Sequence, residues 1–99
     1  MLIYHIVTPE TWERYKNEPF YEAESLAIEG FIHCSYRNQL PEVLDRYYKN
    51  AGRVFILHLN PQLLTSELVA EASTNNEIYP HVYGRINSQA IVGVEERNL

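Results

Sequence analysis

Apolar positions in this chain come in short runs, and most runs end in recognisable punctuation. Leu2 to Val7 is rich in β-branched and aromatic residues and stops at Thr8-Pro9. Threonine there suits a helix cap and proline the first helical position. A helix from Pro9 to about Lys16 puts Trp12 and Tyr15 on one face, with Glu10 near its positive end. Asn17-Glu18-Pro19 stops it. Glu22 to Glu29 predicts a short helical turn with a left-handed exit at Gly30, and Phe31 to Cys34 a buried strand.

The clearest periodicity follows. Leu40, Val43, Leu44, Tyr47 and Tyr48 form the stripe of an amphipathic helix, expected from about Gln39 to Lys49. Pro41 fits its first turn and Asn50-Ala51-Gly52 its end. Arg53 to Leu59 reads as a strand whose apolar run is too continuous for an exposed edge, so the helix should pack Leu40, Val43, Leu44 and Tyr47 on a sheet containing it. Asn60-Pro61 opens a turn, Glu67 to Ala72 is a further strand, Ser73 to Asn76 a loop, and Gln89 to Glu95 a last strand. Five strands and two principal helices without regular alternation predict an α+β fold.

Composition narrows the setting. Ninety-nine residues predict one domain, spanning residues 1–99. A net charge of −5 argues against an extended nucleic-acid surface. The single cysteine, Cys34, leaves no internal disulfide and suits a reducing cytoplasm. The first residues carry no basic stretch before a brief apolar run, so neither a signal peptide nor a membrane span is expected.

Three of the four histidines stand in strand-like surroundings: Ile3-Tyr4-His5-Ile6, Phe31-Ile32-His33-Cys34-Ser35 and Tyr79-Pro80-His81-Val82-Tyr83-Gly84. An imidazole beside buried strands must find a partner or a ligand. His33 and Ser35, two apart on a strand, share a face and can reach one ligand together, whereas His33 and Cys34 point apart and form no dyad. His5 either lines a pocket or bonds to backbone, and His33 lines a pocket or sits in the core. His81, following Pro80 in an expected loop, either braces that loop or meets a ligand. Tyr83 stacks on a planar ligand or packs in the core, and His58 alternates with apolar neighbours on an exposed strand face. Arg37, Arg53 and Arg85 are candidates for phosphate contact or plain surface cations, and no glycine-rich phosphate loop is present.

The segments Ile3-Tyr4-His5-Ile6, Glu29-Gly30-Phe31-Ile32-His33-Cys34-Ser35 and Pro80-His81-Val82-Tyr83-Gly84 resemble the small bacterial family called domain of unknown function 952. The resemblance implies an ADP-ribosyltransferase-like fold, a split β-sheet around a nucleotide cleft. His5, and His33 with Ser35, match the NAD-lining pattern of the RNA 2′-phosphotransferase branch of that fold. Glu71 is the match for the glutamate that the wider enzymes carry on a later strand, and Arg85 stands where proline is expected.

Three readings follow. In the first, an NAD-consuming transferase, His5, His33 and Glu71 are catalytic and Ser35, His81, Tyr83 and Arg85 bind substrate. NAD is then a substrate and no cofactor is tightly bound. In the second, a nucleotide- or small-ligand-binding module keeps the cleft without turnover. The third is a metal-dependent hydrolase built on His5, His33 and His81, although no short metal-ligand spacing is present. The geometry expected is a single cleft lined by His5, His33 and Tyr83, with His81 or Ser35 at its rim.

Overall fold

A computed structural model describes residues 1–99. β1 (Ile3–Val7) leads into α1 (Pro9–Tyr15), and β2 (Phe20–Tyr21) precedes α2 (Glu24–Glu29). Then come β3 (Ile32–His33), α3 (Leu40–Tyr47), β4 (Arg53–Leu59), β5 (Glu67–Ala72), β6 (Ile78–Tyr83), β7 (Ile86–Asn87) and β8 (Ile91–Asn98). The strands form three antiparallel sheets in the orders β1-β4-β8, β3-β6-β5 and β2-β7. The result is a small mixed α/β domain with three helices of six to eight residues.

β4 explains its own sequence. It is the middle strand of its sheet, and Val54, Ile56, Leu57 and Leu59 are sealed from solvent. Successive side chains point to opposite faces. Val54 and Ile56 therefore join Tyr4 and Ile6 under Leu40 and Leu44 of α3, while Leu57 and Leu59 join Ile3 and Val7 in the larger core. The expected helix-on-sheet packing is present, with one change. Tyr48 packs against this smaller core, but Tyr47 is 58% exposed and turns toward a cleft beside the helix. The helix ends at Tyr47, so Tyr48, its C-cap, has left helical geometry.

The left-handed exit from α2 is present at Gly30, with φ of 89°. A Cβ there would meet no atom, so only backbone strain opposes a side chain. Gly30→Ala should therefore cost about 1 kcal/mol in chemical denaturation, and an unchanged midpoint would refute this reading of the turn.

His81 does not lie in a loop. Tyr79-Pro80-His81 runs through β6, the middle strand of the second sheet, because the Pro80 carbonyl still accepts from the Cys34 N–H at 3.1 Å although proline donates nothing. The two larger sheets touch through one bridge, in which Tyr4 and Ser35 exchange main-chain hydrogen bonds of 2.8 and 2.7 Å. Apart from it β1 pairs only with β4, and β3 only with β6.

Candidate functional site

The fork between β1 and β3 is filled by an imidazole. His5 alternates with Ile3 and Val7 on the larger-core face of β1, across from Leu57. Its Nδ1 lies 2.6 Å from the His33 carbonyl and its Nε2 2.7 Å from the Tyr21 hydroxyl. A carbonyl only accepts, so Nδ1 carries the hydrogen. Burial lowers the pKa of His5 from 6.5 to about 4, opposed in part by the His33 carbonyl. At neutral pH the ring is therefore uncharged, Nε2 offers a lone pair, and the Tyr21 O–H donates to it. Burial in turn pushes the Tyr21 hydroxyl well above its ordinary pKa, so it stays protonated.

This fork opens on a cleft of about 670 Å³, within the size range of small-molecule sites. His5, His33 and Ser35 line it, as expected, together with Tyr21 from β2. α2 contributes Glu24, Ser25 and Glu29 to the lining, which also includes Val43 and Tyr47 of α3 and Tyr79 of β6. His33, half-exposed, holds its Nε2 at 2.7 Å from Glu29 Oε2. With Nε2–H given to the carboxylate, Nδ1 carries the basic lone pair of the neutral ring. Cys34 is buried in the core, and burial raises its pKa, so it is no nucleophile.

The other expected site residues gather elsewhere. On the outer face of the second sheet Glu71 accepts from His81 Nδ1 at 2.8 Å and from the Tyr83 hydroxyl. Those bonds, Tyr83 first and His81 second, hold the Glu71 carboxyl below its ordinary pKa. Phe31 stacks on His81 with ring centroids 4.1 Å apart. None of Glu71, His81, Tyr83 and Arg85 lines the cleft. Strand face alone does not explain the separation: Tyr79 precedes His81 by two residues on the same face of β6 and lines the cleft, whereas Glu71, His81 and Tyr83 bond one another beside Phe31, with His81 itself buried. Arg85 instead caps the Phe20 ring, 4.1 Å from its centroid. Arg53 pairs with Glu96, and Arg37 donates to the Tyr4 hydroxyl.

His33 joins the two groups, since its ring also meets Phe31 and His81 edge-on at 4.8 and 5.3 Å. No group of three or more His, Cys, Asp or Glu side chains is arranged to hold a metal ion. His58 is half-buried, with its ring edge-on to Tyr4 at 5.0 Å, where an exposed face was expected. Tyr21 and Glu29 escaped the sequence reading. A two-residue strand shows no periodicity, and Glu29 reaches His33 only because Gly30 turns the chain back.

The family described as protein of unknown function (DUF952) matches residues 6–94, and the chain belongs to it. No curated protein matches. A crystal structure of protein CC0527 from Caulobacter crescentus is similar, with a TM-score of 0.89 at 24% identity over 100% of this chain and 88% of that one. A solution NMR structure of CC0527 gives 0.85 at 24% identity, over 99% and 85%. At such identity the likeness is one of fold. No helix is long and apolar enough to cross a membrane.

Proposed function

We propose that the cleft binds an adenine or nicotinamide nucleotide on an ADP-ribosyltransferase-like scaffold, and that any turnover consumes NAD as substrate without a tightly bound cofactor. The observation that carries the reading is the convergence of His5, Tyr21, His33 and Glu29 where two sheets fork around one cleft. Cleaving a nicotinamide glycosidic bond needs a held ribose and negative charge near the cationic transition state. Glu29 supplies that carboxylate, since Glu71, the match implied by the resemblance, lies outside the cleft. The bond from ribose C1′ to the nicotinamide nitrogen breaks with its electron pair on nicotinamide. An acceptor oxygen then bonds C1′ and passes its proton to His33 Nδ1. His5 is a positioning residue, because both its nitrogens are bonded inside the protein.

That same locked ring favours the second reading, a nucleotide-binding module without turnover. Calorimetric titration with NAD and ADP-ribose tests what both readings share. Wild type should bind NAD, and His33→Ala should weaken it roughly five- to a hundredfold, the loss of about 1–3 kcal/mol for one hydrogen bond. Nicotinamide release from NAD, followed by chromatography, separates the transferase from the module. No heat from either ligand at millimolar concentration would end the nucleotide reading.

A further inference from the structure

The walls of the cleft have an unusual polarity for a nucleotide site. Hydroxyl groups and two carboxylates, Glu24 and Glu29, line it, and neither lysine nor arginine does. Arg46, near the Tyr47 end, is itself engaged with Glu42. A phosphate inside this lining would face negative charge with no cation to neutralise it. A neutral or cationic group would not.

The hydrogen-bond direction at Tyr21 points the same way. Its proton is committed to His5 Nε2, because His5 Nδ1–H is committed to the His33 carbonyl. The Tyr21 oxygen can then only accept from a ligand. A ribose hydroxyl or an amide N–H satisfies it, and a phosphate oxygen, with no hydrogen to give, does not. The Glu29 carboxylate is likewise an acceptor.

We infer that the cleft selects the phosphate-free, ribosyl part of its ligand, with Tyr21 reading a hydrogen-bond donor and Glu24 and Glu29 rejecting phosphate. The inference rests on the nucleotide reading above and adds to it a substrate class. The cleft prefers a nucleoside, and a cationic one above a neutral one, to the corresponding 5′-phosphate. A dinucleotide must keep its diphosphate outside the lining.

Titration calorimetry with nicotinamide riboside, nicotinamide mononucleotide and NAD tests this on the wild-type chain and on Glu29→Gln. The riboside, which carries a cationic ring, should bind at least about tenfold more tightly than its 5′-phosphate. Glu29→Gln should shrink that gap from both sides, weakening the riboside and strengthening the mononucleotide. Tyr21→Phe should weaken the riboside by about fivefold or more, with a melting curve that reports separately on the His5 partner it removes. Equal or tighter binding of the mononucleotide would overturn the phosphate exclusion while leaving the nucleotide reading intact. Silence from all three ligands would remove that reading and this inference with it.

Discussion

Leu57→Ala is expected to lower the unfolding free energy by about 3 kcal/mol, within the range of about 2–5 kcal/mol for leucine truncation in a core. Leu57 has 0% exposure in the middle strand of its sheet, with His5 opposite it on β1 and Val94 on β8. Its side chain faces the larger core, where Ile3, Val7, Tyr21 and Ile32 leave little freedom for collapse around a lost isobutyl group. The cavity would also border the His5 fork, so part of the cost falls on the buried hydrogen bonds there. For a chain of 99 residues such a loss moves the melting temperature by roughly 12–25 °C. Val94→Ala is the internal control: this cross-strand neighbour is half in solvent, and its truncation should cost about 0.5 kcal/mol. Urea unfolding of the two variants decides the matter. Similar midpoints for both would show that the sheet is not sealed at Leu57.

Most of the scaffold was legible because long elements leave repeated marks. The runs from Arg53 to Leu59 and from Glu67 to Ala72 match β4 and β5 residue for residue. The last strand starts later and runs further than expected, over Ile91–Asn98, because Ser88–Ala90 form a tight 3-10 turn. β6 was missed because Pro80 suggested a break. Its neighbours on both sides supply the pairing that local signals cannot show. Of the expected cleft, His5 and His33 are present with Ser35, and Tyr83 is not. His5, His33 and Ser35 are brought together by the Tyr4–Ser35 bridge, a contact between residues far apart in sequence. Glu71, His81, Tyr83 and Arg85 lie elsewhere because residue type does not say which stretch of a strand borders a cleft: Tyr79 does, and His81, two residues on along the same face, does not. The charge pattern of the cleft was hidden for a related reason. Glu24 and Glu29 open and close a six-residue helix, too short to show a periodic face, and only the placement of α2 beside the cleft brings both carboxylates into its lining.

Acid should expose the His5 fork as a specific loss of stability. In the unfolded chain this imidazole takes a proton near its ordinary pKa of 6.5, whereas the folded protein resists until about 4. Above pH 6.5 the ring is neutral in both states, and the stability of the folded form is fully present. As the pH falls from 6.5 toward 4, only the unfolded state gains the proton, so the folded state is progressively disfavoured. At about 1.4 kcal/mol per unit, the full interval amounts to roughly 3 kcal/mol. Below pH 4 the folded ring titrates too, and this contribution to the slope vanishes. Glu71 and Glu95, both held below the ordinary carboxylate value of 4.5, give up their share lower in pH. His5→Gln keeps a polar side chain at the fork but cannot titrate, so it should start from a lower stability and lose less between pH 7 and 4. The measurement is urea unfolding of both proteins at half-unit steps, with the ring carbon shifts of His5 followed by NMR in the wild type. Those shifts should stay at their neutral values down to about pH 5, whether or not the variant folds well. Parallel stability curves, or an imidazole that charges near pH 6.5 in the folded protein, would mean that His5 is open to water and that Tyr21 is free to donate to a ligand.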